Sequence, residues 1–317
     1  MAQPPSQPLL VVSAPPFWHC GRTVQKMQIQ TLIALVPAMV MAVWHWGMPA
    51  ARVMALAVCT GVLVEVICRK LMSREVNVDD FSAVVSCLLF SFLLPAASPW
   101  WLVMLGSTLC ITLGKTAFGS FGSNPLNTAV VGWALLYVSW PVLLDPNATQ
   151  LLTPYVDPLV RLKYYGAAAV SRIELLDLIK GAQINGLGAG QVGALFVGGC
   201  YLAARGVIRW EITASFLVGI TATAAVFNII DPQLYATPAF HLCTGSTMLG
   251  AFFLATEPAT APDRNMAKIL YGLVGGVLVI IIRHYGIYTD GVPFAILLIN
   301  LLAPQLDLIR PRPFGGK

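Results

Sequence analysis

Charge is what this 317-residue chain has least of: Asp, Glu, Lys and Arg together make up 10% of it, against 57% hydrophobic residues. Soluble domains average about 25% charged residues, so composition argues against a water-soluble core of this length. Its seven cysteines, Cys20, Cys59, Cys68, Cys87, Cys110, Cys200 and Cys243, form no C-x-x-C step and no paired spacing. That argues against an iron–sulfur or zinc centre held by this chain alone, and leaves open one Cys contributing to a cluster shared with a partner protein. No phosphate loop, nucleophilic triad or metal-ligand cluster is present, which sets hydrolases and nucleotide enzymes aside. The segment Met1 to Lys26 has no apolar run of its own, so no cleavable signal peptide is expected. The net charge of +5 reflects membrane topology rather than nucleic-acid binding.

What fills the chain is apolar sequence in runs of membrane-spanning length, about 17–25 residues. Ten windows can be placed, at 27–46, 50–68, 80–96, 100–117, 126–144, 189–207, 210–230, 236–256, 266–284 and 290–306. Most Lys and Arg of the short connections, among them Arg69, Lys70, Arg74, Arg205, Arg209 and Arg264, then fall on the side of the termini, which puts both termini in the cytoplasm. A repeat organises the windows. Phe90–Pro99 ends in Pro-Ala-Ala-Ser-Pro and Phe252–Pro262 in Pro-Ala-Thr-Ala-Pro, with Pro258 standing 163 residues after Pro95. The Asn-Pro-Leu-Asn step at 124–127 likewise answers Gly-Val-Pro-Phe at 291–294. Five spans per half is odd, so the halves enter the membrane from opposite sides. The expected fold class is therefore an all-α integral membrane protein with about ten transmembrane helices in two inverted five-helix repeats. Its parts are a cytoplasmic segment 1–26, a first repeat 27–144, an external loop 145–188 with an amphipathic helix, a second repeat 189–306 and a tail 307–317.

Polar residues inside such spans are costly and worth locating. Glu257 sits between helix breakers in FFLATEPATAP. Glu65 stands one turn before Arg69; it reads as a screened ion pair, or as part of an ion path if it faces the bundle interior. Asp79 and Asp80 stand where a helix cap belongs. Gly114–Gly132 gathers Gly, Pro, Asn124 and Asn127 around Lys115, so its freed backbone groups need partners in protein, water or ligand. Ile173, Leu176 and Ile179 make one apolar face in the loop, expected to pack on the bundle or the membrane interface. Thr244, Ser246 and Thr247 read as hydroxyls bonded one turn back. Asn300 needs a partner from another helix or a ligand. Lys115, Glu257 and Asp290 are the intramembrane or edge charges available to an ion path.

Three stretches resemble one family. KTAFGSFGSNPLNTAVVG is similar to the K-x-x-FGGxGxNxFNPAxxG signature of the NqrB/RnfD family of electron-transport complexes, through Lys115, Phe118, Gly119, Gly122, Asn124, Pro125, Asn127 and Ala129. LGAFFLATEPATAP resembles its LGAFFMATDPVTSP, and DGVPFAILLINLLAPQLD its EGVxFAILLxNxLxPxID. The resemblance implies a urea-transporter-like component of a flavin-dependent redox pump in a bacterial cytoplasmic membrane. Its partners would be the other membrane, flavoprotein and iron–sulfur components of an Rnf-type complex. The Rnf branch moves electrons between ferredoxin and NAD with Na+ or H+ transport; the chain lacks the longer N-terminus usual in the quinone-linked Nqr branch.

The resemblance also implies FMN joined through its phosphate to a threonine in the loop after the fifth span. Ala148-Thr149-Gln150-Leu151 keeps the Ala-Thr-x-Leu core and Thr153-Pro154 the Thr-Pro step, so Thr149 is the first candidate and Thr153 the second, although neither keeps the family's Ser-Gly. Thr247, in Thr-Gly-Ser-Thr, resembles the motif but lies inside a span. A second, non-covalent flavin (riboflavin) would be held near Asn124, Asn127, Glu257 and Thr260, because polar groups at helix breaks fix a ligand's orientation. The competing reading is a non-redox channel or transporter using the same repeat, since fold alone does not decide function.

Overall fold

The computed structural model describes residues 23–73, 79–119, 122–149 and 155–308, and among these there is no strand. Helix α1 (Val24–Trp46) starts where the Thr23 hydroxyl accepts from the Lys26 amide at 3.2 Å, and it closes at Gly47, whose φ of 67° turns the chain in one residue into α2 (Met48–Leu71). Helix α3 (Ser82–Leu93) begins beside Asp80, which accepts from the Ser82 amide at 3.0 Å and the Ser82 hydroxyl at 2.8 Å. Asp80 thus holds the first amide of α3 from the residue before the Phe81 cap position. Leu94 precedes a proline and is extended, which ends α3. Helix α4 (Trp100–Gly114) runs into a 3-10 turn at Thr116–Phe118, and α5 (Thr128–Ser139) is capped by Asn127, whose side chain accepts from the Val130 amide at 3.1 Å.

The described residues of the loop that follows carry five short helices: α6 (Pro141–Leu144), α7 (Pro146–Thr149), α8 (Pro158–Tyr165), α9 (Ala167–Val170) and α10 (Leu175–Ile179). It is tied to both halves of the molecule. His45 at the end of α1 holds the Tyr155 hydroxyl and the Lys180 carbonyl, each at 3.0 Å. Lys163 donates to the Gly286 and Ile287 carbonyls. Of the expected apolar face of the loop helix, Ile173 packs with Leu178, Leu159, Leu162 and Phe240, while Leu176 and Ile179 face outward.

The second half runs through α11 (Val192–Ala204), α12 (Trp210–Ile230), α13 (Pro238–Cys243), α14 (Thr247–Leu249), a π turn at Gly250–Leu254, α15 (Asn265–Tyr285) and α16 (Val292–Asp307). Each of the ten apolar windows holds helix, and in the eighth it is broken at Thr244–Ser246. Among the described residues, five helices are long and apolar enough to cross a membrane: α1, α2, α4 with its 3-10 turn, α12 and α15. The apolar helices α3, α5, α11 and α16 are shorter. Packing partners recur between halves: α2 packs on α4 as α12 does on α15, α4 on α5 as α15 on α16, and α1 meets α11. Close approach depends on missing side chains. A methyl at Gly198 would collide with the Ala34 carbonyl of α1, and one at Gly276 with the Phe216 carbonyl of α12.

At the loop, Asp157 caps α8 through the Leu159 amide at 2.9 Å and the Val160 amide at 3.0 Å, and holds the Asn147 side chain of α7 at 2.9 Å. Burial pushes its carboxyl up to about 6. The folded chain then binds this proton more tightly than the unfolded one, so the stabilisation is full below the ordinary carboxylate range and is lost as pH rises through about 6. An unfolding midpoint measured between pH 4 and 7 should fall with rising pH more steeply for the natural chain than for Asp157→Asn.

Candidate functional site

The site lies where the Gly/Asn/Pro element before α5 meets the broken helix of the second half. The Asn127 amide donates to the Leu254 carbonyl at 3.0 Å, joining residues 127 positions apart while its oxygen caps α5. This carbonyl belongs to the π turn, whose displaced bonds leave backbone groups in need of partners. Asn124 braces its own loop through the Leu126 carbonyl and the Thr128 hydroxyl. It also stands beside Glu257, as does the Thr128 amide. Glu257 Oε2 is buried with no hydrogen-bond partner, as is the Thr260 hydroxyl. Thr260 adjoins Tyr271 of α15, and the Tyr271 hydroxyl donates to Asn300 Oδ1 of α16 at 2.5 Å, leaving Asn300 Nδ2 without a partner. Both halves thus converge on one set of buried polar groups. Two unsatisfied oxygens and one amide in an apolar interior are costly unless something binds them.

Beside this cluster lies a second charged centre, bonded through Glu65 Oε1, with Glu65 Oε2 buried and unpartnered. Lys115, 2% exposed, donates to Glu65 at 2.6 Å and to the Ser82 hydroxyl at 2.5 Å. Glu65 also takes Arg69 at 2.6 Å. Glu65 therefore makes the expected pair with Arg69 and faces the interior as well. A third centre occupies the second half. Arg283 donates to the His241 carbonyl at 3.0 Å, the Thr244 carbonyl at 3.1 Å, the Thr247 hydroxyl at 2.8 Å and Asp290 at 3.3 Å. It satisfies carbonyls freed where the helix breaks. Asp290 is further held by the Ser246 amide and hydroxyl at 2.7 and 2.6 Å. The Thr244 hydroxyl bonds one turn back to Phe240 at 2.9 Å.

The structure thus brings Asn124, Asn127, Glu257 and Thr260 together, sets Lys115 nearby on Glu65, and holds Asp290 apart on Arg283. Thr149 closes α7 in the loop, on a segment pinned by Asn147 to Asp145 and Asp157. Thr153 lies outside the described residues. Thr247 is buried, and its hydroxyl is engaged with His241, Thr244 and Arg283. Among the described residues, no group of three or more His, Cys, Asp or Glu is placed to hold a metal ion. Sequence reasoning missed Arg283 and Tyr271. An Arg inside an apolar run seven positions before Asp290 is the signal that pointed to the first; nothing local marks a buried Tyr.

The cavity beside Asn127, Glu257 and Phe252 has a volume of about 50 Å3. That is room for a water or two, well below the roughly 300 Å3 of an organic-ligand pocket. It continues toward a larger cavity of about 380 Å3, sharing Met27, Val207, Thr256 and Pro258 with it.

Comparison with known proteins gives a concordant result. The family model described as NQR2, RnfD, RnfE family matches residues 11–315. The D component of the ion-translocating oxidoreductase complex of Salmonella typhi is 32% identical over 96% of this chain and 98% of that protein. The proteins of the same name from Salmonella paratyphi A (strain ATCC 9150 / SARB42) and Salmonella paratyphi B (strain ATCC BAA-1250 / SPB7) match at the same identity and coverage. With the family model spanning almost the whole chain and relatives above 30% identity aligned end to end, this multi-pass membrane protein belongs to the NQR2, RnfD, RnfE family.

Proposed function

We propose that the chain is the RnfD-type membrane component of a redox-driven ion translocase, working with other proteins of the complex and not catalytic alone. The observation that carries this reading is the buried cluster around Glu257, where the second half presents the unsatisfied oxygens of Glu257 and Thr260 beside the Asn124–Asn127 element of the first. A cation stripped of water suits such a group, and carboxylate, hydroxyl and carbonyl oxygens are the ligands that hard cations take. Lys115, paired with Glu65, stands beside this group, and Asp290, paired with Arg283, would serve the path at a separate point. The proposed architecture is two inverted five-helix repeats with both termini in the cytoplasm of a bacterial cell, supported by the recurring packing partners. On the analogy of the family, the reaction is electron transfer between ferredoxin and NAD coupled to Na+ or H+.

For covalent FMN the requirement on this chain is a hydroxyl in a loop segment, and Thr149 on the pinned α7 meets it, as the engaged Thr247 does not. The group, when bound, supplies one-electron chemistry; the chain supplies its position. For a non-covalent flavin near Asn124, Asn127, Glu257 and Thr260 the room is 50 Å3, so that part of the proposal requires the neck to widen.

The test uses the complete complex in sealed vesicles. Glu257→Gln should abolish ion uptake driven by electron input while electron transfer itself continues, because it removes charge but keeps shape. Thr149→Val should remove in-gel flavin fluorescence from the denatured protein. Undiminished uptake in Glu257→Gln would falsify the ion path. The reading as a plain solute channel predicts instead that transport survives without any electron donor.

A further inference from the structure

The larger cavity lies at the end of the bundle where α1, α12 and α15 begin and α11 ends. Its volume is about 380 Å3, and its polar lining comprises Lys26, Gln30, Arg205, Arg209, Thr256 and Asp263. Three cations face one carboxylate. Asp263 opposes Arg209 only loosely: it is 93% exposed in its side chain and stands 4.0 Å from Arg209, itself 60% exposed. Lys and Arg on the inner side of a membrane protein ordinarily sit on convex turns; here they converge on a concavity of ligand-pocket size.

We propose that this basic vestibule binds a phosphate-bearing anion at the membrane surface. The sign of the lining selects negative charge, and guanidinium forks match phosphate oxygens two at a time. The N-termini of three long helices add their positive ends to the same side. A free cation on its way to Glu257 would have to pass Arg205 and Arg209, so the vestibule is unsuited to cation entry. The anion in turn stays outside: the neck toward Glu257 is about 50 Å3 and ends on a buried carboxylate. The two sites are therefore separate, and this inference stands whether or not Glu257 carries the ion. Two sources offer the same chemistry. One is the headgroup of an anionic phospholipid, the ligand that basic pockets between membrane helices take on the cytoplasmic side. The other is a free phosphate.

The experiment measures the melting temperature of the full-length chain in detergent with added phosphatidylglycerol, phosphatidylcholine, inorganic phosphate or riboflavin. Phosphatidylglycerol should raise it in a saturable way and phosphatidylcholine should not. The variant Arg205→Gln/Arg209→Gln should weaken the apparent affinity about 30-fold, at roughly fivefold per guanidinium near a surface. Asp263→Asn, which removes the opposing charge, should strengthen it, and this arm keeps the test decisive if the arginine variant does not fold. The same pattern with inorganic phosphate assigns the site to a free anion. A response that the arginine variant leaves unchanged, or that phosphatidylcholine gives equally, overturns the proposal. So does a response to riboflavin that exceeds the lipid's and ignores the arginines.

Discussion

Replacing Glu65 with Leu is expected to lower the stability of the chain by about 3–5 kcal/mol, the cost of leaving one member of a buried ion pair alone. Lys115 would keep only the Ser82 hydroxyl, in a position 2% exposed. Lys115→Met should cost less, about 1.5–3 kcal/mol, because Glu65 retains Arg69 at 2.6 Å. The double variant Glu65→Leu/Lys115→Met should recover most of the loss, since an apolar pair of similar volume replaces a buried ion pair at little net cost. Unfolding midpoints of the four proteins in one detergent form the cycle. A double variant no better than Glu65→Leu alone would show that the carboxylate acts through something other than Lys115.

Arg283→Met should be comparably damaging, about 3–5 kcal/mol, for a different reason. The side chain is 3% exposed and bridges the two pieces of a broken helix to Asp290. Without it the His241 and Thr244 carbonyls lose a donor and Asp290 loses its cation. Arg283→Lys keeps the charge but has no planar fork, and it should regain less than half of the loss. Maleimide labelling reads the local effect: Cys243, at the end of α13 and half-buried, should react faster in both variants, while the exposed Cys59 and Cys200 should react as before. Unchanged labelling of Cys243 would mean that the break holds itself together.

Much of this architecture was legible because local chemistry dictates it. Asp80 was marked as a polar group at a helix start, and it accepts from the first amide of α3. The Pro-rich turns end α3 and the π turn where a missing amide forbids continuation. The apolar windows hold helices because a backbone in hydrocarbon must satisfy itself. What stayed hidden is pairing over distance. Nothing around Glu65 announces Lys115, 50 residues on, and its visible neighbour Arg69 supplied a sufficient local partner. Asn127 read as a ligand group, yet its oxygen caps α5 and its amide is spent on the Leu254 carbonyl across the bundle. In the first half the polar element was legible as a cluster of Gly, Pro and Asn. Tyr271 and Asn300, which complete it from the second half, are set by tertiary packing alone.

The π turn at Gly250–Leu254 makes the placement of Glu257 a matter of counting. The Ala255 amide reaches back to Gly250 rather than Ala251, so this turn holds one residue more than an α-helical turn, and each position along a helix is worth about 100° of rotation. Loss of a single codon between Gly250 and Leu254 would leave composition, hydropathy and the Thr-Glu-Pro step intact. It would nonetheless swing Glu257 about 100° around the axis, away from Asn124 and the Thr128 amide. In a lineage of such proteins, therefore, length in this short stretch is under tighter restraint than identity: substitutions that keep the extra residue leave the carboxylate in place, and an in-frame deletion that touches no polar group removes it.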